Sequence, residues 1–329
     1  MNNYIVLLFH SVDDRDLFSL KNLGNIHPDV FEKILRSLKK DFDIVSVDEL
    51  VGALAGKEKS SGPLLAITFD DGPKSYAAHA VPIMESLGIP STCFLITDCV
   101  GDNAIYWRYL CNFCLHSGYE DELAELISAV YGTPVPKEKI ISFTRSHFTK
   151  AKNERAIKGI FQRLVPEERY REKERGLFLS MEDIELLKRN PLVSFGIHTR
   201  THPVMMKLRG GEILDELSGS LDFYRARIKD DMPMFSVPFG RLYKDYDERT
   251  IIAAQEISIR VILSAYGGGN TAGQPLYNIR RIPVHEEMWE EGTGSFKERI
   301  ERLCAAKEYA AREKRLYNVI EGNRKAGMP

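Results

Sequence analysis

The chain has 329 residues, 43% of them hydrophobic, and a formal net charge of −2. That size supports one large hydrophobic core or two modest domains, and the near-zero charge argues against a general nucleic-acid-binding protein. No stretch reaches the roughly 20 apolar residues needed to cross a bilayer. The five cysteines and an amino terminus without the features of a signal peptide predict free thiols and a cytoplasmic location.

The predicted elements alternate between strands and helices. Tyr4 to Phe9 is a short apolar run typical of a buried strand, and apolar residues at helical spacing predict a helix from Pro28 to about Asp41. Leu64 to Phe69 predicts a second buried strand, which Gly72 and Pro73 end. Further strands are predicted at 91–96, 192–197, 234–237, 260–265 and 277–284, and further helices at 75–87, 181–190, 211–228 and 247–255. The alternation predicts an α/β protein of parallel βαβ units, and about seven strands fit a closed or nearly closed barrel.

Two segments lie outside this alternation. Residues from about 98 to 176 carry helical patterns and no strong strand, and a loop of that length must have its own structure. We interpret it as a helical insertion on the catalytic face, either a lid or an interface for a homo-oligomer. The charged segment 295–321 is predicted to be one helix that docks on the body through Phe296, Ile300 and Leu303.

Two adjacent carboxylates, Asp70 and Asp71, follow the strand that ends at Phe69. The carboxyl ends of parallel strands are where α/β sheets and barrels build active sites. Two neighbouring negative charges repel each other, so a cation or one shared proton must compensate them.

A second motif favours the cation. His198 and His202 stand four residues apart, just after the apolar run that ends at Ile197. Two neutral imidazoles and one carboxylate are the usual ligands of an open catalytic zinc site. One aspartate would then bind the metal, and the other would be free to take a proton from water.

These motifs carry a family resemblance. Three segments resemble, in this order, motifs of the polysaccharide deacetylase family, the NodB-type metal-dependent amide hydrolases. They are Thr68-Phe69-Asp70-Asp71-Gly72-Pro73, His198-Thr199-Arg200-Thr201-His202-Pro203 and Phe235-Ser236-Val237-Pro238-Phe239-Gly240. The resemblance runs from about Ile5 to Val284 with one long insertion. It implies a distorted (β/α)7 barrel, with residues 1–329 forming one domain.

The resemblance also implies roles for the motif residues. Asp70 would be the general base, and the ligands of a divalent ion, expected to be zinc, would be Asp71, His198 and His202. The backbone N–H of Phe239 would stabilise the oxyanion, on a turn that Pro238 fixes. Thr199 matches a hydroxyl position that braces the metal-binding loop.

The proton donor departs from the usual family order, in which a histidine follows a late leucine motif. Pro283 spoils the late candidate, His285. Some circularly permuted members carry the donor in an amino-terminal strand, and Leu8-Phe9-His10-Ser11-Val12 is similar to that pattern. His10 is therefore the predicted general acid, with His285 as the alternative.

An arginine that orients the base aspartate in many members is also absent from its usual place, where this chain has Ser236 and Val237. Family members without it often carry an Arg-Ile-Pro stretch like the one that Arg281 begins here. We predict that Arg281 orients Asp70, and Arg280 is the alternative, which strand alternation would place on the opposite face.

The resemblance implies a hydrolase that removes an N-acetyl group from an amino-sugar glycan or glycan precursor. A lipid-linked or nucleotide-linked sugar met in the cytoplasm fits best. Two alternatives remain open. One is a small-molecule amidase, deformylase or cyclic-imide hydrolase on the same fold. The other is an inactive, metal-bearing carbohydrate-binding module, which the missing arginine favours and the intact aspartate and histidine motifs oppose.

Overall fold

A computed structural model describes residues 4–57, 62–229, 231, 233–289, 296–305 and 308–325. The strands are β1 (Ile5–Phe9), β2 (Asp43–Ile44), β3 (Leu64–Phe69), β4 (Ser91–Leu95), β5 (Val193–Ile197), β6 (Phe235–Ser236), β7 (Ile262–Leu263) and β8 (Ile282–Pro283). The helices are α1 (Pro28–Asp41), α2 (Val47–Leu54), α3 (Val81–Leu87), α4 (Trp107–His116), α5 (Glu120–Tyr131), α6 (Ile140–Ser146), α7 (Ile157–Leu164), α8 (Glu167–Lys173), α9 (Met181–Leu187), α10 (Gly210–Arg227), α11 (Glu248–Glu256), α12 (Phe296–Cys304) and α13 (Ala310–Lys325).

The strands form one parallel sheet in the order β7-β6-β5-β4-β3-β1-β8, and β2 pairs with the start of β3. The last segment nearly closes the sheet into a barrel. Ile279 forms a parallel bridge with Leu263 of β7, and Ile282 pairs with Leu7 of β1. The curled parallel sheet and its outer helices confirm the predicted barrel fold.

The centre of the sheet is buried on both faces, as the continuous apolar runs predict. Every residue of β1 is buried, and α1 covers the sheet with an apolar face that includes Phe31. The ring of Phe9 packs 5.2 Å from that of Phe31 and 5.5 Å from that of Phe69. This aromatic packing fixes β1 and β3 side by side just before the residues of the candidate site.

Between β4 and β5, residues 98–176 contain the helices α4 to α8 and no strand. We call residues 104–176 the helical cap. Its own core includes the rings of Phe113, Phe161 and Tyr170, whose centres lie 5.0–5.7 Å apart. Cys111 and Cys114 are buried free thiols in α4, so they contribute to this core.

Three predictions about local structure are wrong. The segment 295–321 contains two helices, α12 and α13, because α12 packs on α1 while α13 packs on α11; residue 295 itself lies outside the described residues. Phe296 and Ile300 are buried, but Leu303 is 37% exposed. The last strand is only β8, since the residues from Leu276 to Asn278 form a 3₁₀ turn.

The described helices include none with both the length and the apolarity that crossing a membrane requires.

Candidate active site

The ends of four strands bring the candidate residues to one edge of the sheet. Phe69 of β3 pairs with Phe9 of β1. Leu95 of β4 pairs with Ile197 of β5, which pairs with Phe235 of β6. The residues at this edge are His10, Asp70 and His198, which directly follow β1, β3 and β5, and Ser236, the last residue of β6. The parallel register therefore assembles the site from motifs that are far apart in the chain.

Asp71, His198 and His202 form a buried cluster of possible metal ligands. One donor atom from each residue lies within 4.8 Å of those of the others. Oδ1 of Asp71 is 3.5 Å from Nε2 of His198 and 3.4 Å from Nε2 of His202. This oxygen is buried and has no hydrogen-bond partner among the described residues. A buried, unpaired carboxylate oxygen facing two imidazole nitrogens fits a divalent cation.

Neighbouring groups orient two of these side chains. Nδ1 of His198 lies 2.7 Å from the carbonyl oxygen of Ser236, so it donates there and leaves Nε2 as the free ligand atom. The Tyr109 hydroxyl of the helical cap donates to Oδ2 of Asp71 at 3.1 Å, which leaves Oδ1 facing the histidines. The sequence analysis missed this tyrosine, and the aromatic stretch from Tyr106 to Tyr109 was the one signal that could have indicated it.

Within the described part of the chain, His202 lacks the second hydrogen bond that His198 makes. Its Nδ1 is buried and has no hydrogen-bond partner among the described residues. Its ring instead packs 4.5 Å from Tyr106 and 4.7 Å from Phe239. Burial, and next the charge of His198, hold the pKa of His202 well below its usual range. The ring is therefore neutral, as a metal ligand must be.

Several site residues have left-handed backbone conformations. The φ angles of Asp71, Thr199, His202 and Phe239 are 70°, 65°, 57° and 59°. Such angles are costly, above all for the β-branched Thr199. The Thr199 hydroxyl accepts a hydrogen bond from the His202 N–H at 3.1 Å, which braces the loop between the two histidines.

Glu216 of α10 holds the same loop from outside. Its Oε2 accepts the backbone N–H groups of Arg200 and Thr201, each at 3.0 Å, and its Oε1 accepts the Thr201 hydroxyl at 2.8 Å. Lys150 of the helical cap forms an ion pair with this buried carboxylate. The sequence analysis missed Glu216, because a single acid within a helical pattern carries no sign of its partner.

Asp70 is held by a fork of hydrogen bonds from Arg281. Nη1 and Nη2 of Arg281 donate to its two oxygens at 2.8 and 2.7 Å. The Ser236 hydroxyl lies 3.0 Å from both oxygens and accepts from Arg281 at 2.7 Å. The guanidinium therefore engages both oxygens of the carboxylate. Arg280 points elsewhere, with Nε 3.5 Å from Glu313.

This pair sets the charge of Asp70. Burial alone raises its pKa, but Arg281 and His198 outweigh burial and bring the pKa well below its usual range. Asp70 is 2% exposed and Arg281 is fully buried. A buried charge pair with this many hydrogen bonds is stable as a unit, and the loss of either member leaves the other uncompensated.

The two candidate proton donors lie on either side of Gly24. A Cβ atom at Gly24 would be 3.5 Å from Nδ1 of His10 and 3.4 Å from Nδ1 of His285. His10 is half-buried, whereas His285 is exposed. Burial lowers the pKa of His10, and the charges of Asp71 and Asp70 offset part of that effect. His10 is thus the one in electrostatic range of both aspartates.

Phe239 lies on the turn after β6. Gly240 N–H donates to the carbonyl oxygen of Pro238 at 2.7 Å. A Cβ at Gly240 would meet the backbone nitrogen of Ala265 at 2.5 Å, so only glycine fits there. The turn places the centre of the Phe239 ring 4.7 Å from that of His202.

Comparisons with known proteins identify the family of the chain. Residues 57–262 match the family model described as "Polysaccharide deacetylase", which is more than half of the chain. A search of the curated proteins finds no match.

Several solved structures share the fold. The Streptococcus pyogenes deacetylase PplD, solved in complex with acetate, aligns with a TM-score of 0.60 and 15% identity, over 92% of this chain and 98% of its own. IcaB from Ammonifex degensii aligns with a TM-score of 0.60 and 17% identity, over 93% and 98%. A de-N-acetylase from Aggregatibacter actinomycetemcomitans aligns with a TM-score of 0.56 and 13% identity, over 91% and 99%.

Proposed function

The chain belongs to the polysaccharide deacetylase family of hydrolases, and from this premise we propose that it removes an N-acetyl group from an amino-sugar glycan or glycan precursor with the help of a divalent metal, zinc. The observation that carries the proposal is the position of Asp70. This ionised carboxylate, held by Arg281, adjoins a separate ligand cluster formed by Asp71, His198 and His202.

The ligand cluster would hold the metal. A bound zinc ion acts as a Lewis acid that polarises the acyl oxygen and makes water easier to deprotonate. The neutral ring of His202, the Nε2 atom of His198 and the unpaired Oδ1 of Asp71 suit this role. Tyr109 would keep Asp71 in place through its other oxygen.

Asp70 would act as the general base. It takes a proton from the attacking water as the water oxygen bonds to the acyl carbon. Because Arg281 lowers the proton affinity of Asp70, orientation contributes more than basicity. The backbone N–H of Phe239 would donate to the oxyanion that forms on the acyl oxygen.

His10 would complete the reaction by donating a proton to the departing nitrogen. The carbon–nitrogen bond then breaks, and acetate and a free amino sugar leave. The proximity of His10 to both aspartates supports this assignment over His285.

The identity of the substrate and the compartment in which the enzyme meets it are also proposals, and they rest on less direct support. The neighbour PplD was solved with acetate, which favours an acetyl group here. A lipid-linked or nucleotide-linked sugar in the cytoplasm remains a prediction from the sequence, as does an oligomer formed through the helical cap.

An assay of amide hydrolysis that detects the released acid or the ring-opened product, run over a panel of compounds, tests the proposal. The panel contains N-acetylated amino sugars, their N-formyl analogues, small linear amides and cyclic imides, each tested with the zinc-loaded enzyme. We expect acetate from N-acetylated sugars and no product from small amides. Turnover of the small amides or imides alone would indicate the amidase alternative, and no turnover of any compound would favour the inactive binding module.

A further inference from the structure

Arg108 lies in the first turn of α4 in the helical cap, next to Tyr109, which contacts Asp71. Its guanidinium carbon is 5.8 Å from the centre of the Phe239 ring. Its positive charge acts on both His10 and His202, and adds to the effect of burial in lowering the pKa of each. Arg108 is therefore a cation at the edge of the candidate active site.

A second arginine of the helical cap gives a direct contrast. Arg145 lies 4.1 Å from the same Phe239 ring, but its Nε donates to Asp245 at 3.0 Å and its Nη2 donates to the other oxygen of that carboxylate. Arg145 is thus paired with a carboxylate inside the protein, which it shares with Arg241, and it packs the cap against the turn.

Arg108 has no such counter-ion. Within the described ranges, no carboxylate lies within 4.0 Å of its guanidinium, and the partner that it does have, the Tyr106 hydroxyl, is uncharged. Its Nε is buried and without a hydrogen-bond partner in the same part of the chain. A partly buried cation with a free donor is costly unless a ligand pairs with it.

The space beside Arg108 can receive such a ligand. An open groove of about 460 Å³ is lined by Arg108, Asn22, Asn112 and Lys137, and also by the acidic side chains of Glu120 and Glu138. That volume is in the range of small-molecule sites. Lys137 already pairs with Asp121 at 2.9 Å, so Arg108 is the cation in this wall with an open donor.

We propose that Arg108 is a specificity residue that binds an oxyanion, a phosphate or a carboxylate, carried on the same sugar residue of the substrate as the N-acetyl group. The proposal rests on the proposed function, since the acyl group must lie at Phe239 for the anion to reach Arg108. An arginine suits this task because its guanidinium can form paired hydrogen bonds with either anion.

The test compares charged and neutral substrates. Acetate release is measured with N-acetylglucosamine 1-phosphate, with an N-acetylated aminouronic acid glycoside and with the neutral methyl glycoside of N-acetylglucosamine. The enzymes are the wild type, Arg108→Gln and Arg108→Lys. Arg171→Gln is the matched control, because it removes one positive charge from an exposed pair with Glu167 on α8.

We expect the wild type to prefer a charged substrate. Arg108→Gln should lower kcat/KM for that substrate by roughly 10–100-fold, mainly through KM, and leave the neutral substrate within about 3-fold. Arg108→Lys should restore part of the preference, and Arg171→Gln should resemble the wild type. Whether the phosphate or the carboxylate shows the effect identifies the anion.

Product binding gives a readout that does not depend on turnover. Glucosamine 1-phosphate should bind the zinc-loaded wild type more tightly than methyl glucosaminide, and Arg108→Gln should abolish the difference. Equal use of charged and neutral sugars by the wild type, or equal losses on both in Arg108→Gln, would overturn the role of Arg108. No acetate from any sugar would instead overturn the proposed function, and product binding would then decide about Arg108.

Discussion

The strand-end loops and the helical cap contribute differently to the same site. The loops supply the cluster of Asp71, His198 and His202 and the Asp70–Arg281 pair, whose charged groups face each other in a buried setting. The cap supplies hydrogen bonds and rings that touch those groups from outside, such as the Tyr109 hydroxyl on Asp71.

This difference suggests that the loops carry out catalysis and that the cap affects substrate preference. The loop residues are fixed by strand register and by strained turns, so small errors in their positions would be costly. The cap lies between two strands and can vary in length without changing the register. We therefore expect substitutions in the loops to abolish activity, and substitutions in the cap to alter stability or preference.

The largest effects should come from the ligand histidines. His198→Ala and His202→Ala should each lose the bound metal and with it turnover, because two ligands cannot hold the ion. Metal content per chain, measured on the purified zinc-loaded proteins, checks this. His79→Ala is the control and should keep the metal. His79 lies in a second cluster with Asp13 and Asp14, but the carboxylate of Asp13 already accepts hydrogen bonds from Arg15. A double histidine variant that still held one ion per chain would refute the assignment.

Arg281 tests the other half of the loop site. Arg281→Ala should lower turnover severely and destabilise the fold by about 3–5 kcal/mol, because Asp70 is left as a buried, unpaired charge. Metal content should change little, since Arg281 does not touch the ligand cluster. Urea unfolding, turnover and metal content are the measurements.

Arg281→Lys keeps the positive charge beside Asp70. It therefore helps to separate a loss of activity from the poor folding that Arg281→Ala can cause. Lysine cannot bind both oxygens of Asp70 with a planar fork, so we expect partial recovery of stability and little recovery of turnover. Full activity in either variant would leave Asp70 without a named partner.

The proton donor comes next. His10→Ala should lower turnover by roughly 10²–10⁴-fold with the metal retained, the range typical of a lost general acid or base. His285→Ala, on the other side of Gly24, is the matched comparison and should retain most activity. The reverse pattern would move the role to His285.

The smallest effect should come from the helical cap. The Glu174 carboxylate accepts backbone N–H bonds from Phe18 and Ser19 at 2.7 and 3.3 Å, and burial raises its pKa from 4.5 to about 7. The folded state therefore keeps a proton that the unfolded chain releases in this window, so stability falls as pH rises from 4.5 to about 7. The loss is up to about 3 kcal/mol.

Glu174→Gln cannot lose that proton, so its stability relative to the wild type should rise with pH across the same window. Urea unfolding at several pH values measures the difference, and Glu168→Gln, exposed on α8, should show no such trend. Parallel curves for wild type and Glu174→Gln would contradict the raised pKa.

The sequence analysis predicted the strand-end loops well because each motif is a short run of neighbouring residues. An apolar run followed by Asp70 and Asp71 places both carboxylates at a strand end, and parallel strands bring that end close to His198. The choice of Arg281 over Arg280 came from the resemblance of its Arg-Ile-Pro stretch to the family and from strand alternation, and Arg281 is the one that contacts Asp70 in the structure.

The rest depends on packing that no local pattern describes. In the sequence, Ser236 stands in the region where many family members have an arginine. In the structure, its hydroxyl forms hydrogen bonds with both Asp70 and Arg281. Tyr109 and Glu216 reach the site from a helix each, and their partners are far away in the chain. The aromatic stretch around Tyr109 was the one available signal, because such residues are uncommon in a solvated insertion.

The most direct test of the account compares the two neighbouring aspartates. Asp70→Asn and Asp71→Asn are purified, loaded with zinc and measured for metal content and acetate release in parallel. We predict that Asp70→Asn keeps one ion per chain while its turnover falls by roughly 10²-fold or more, and that Asp71→Asn loses both metal and turnover. Metal loss in Asp70→Asn together with retention in Asp71→Asn would contradict the account.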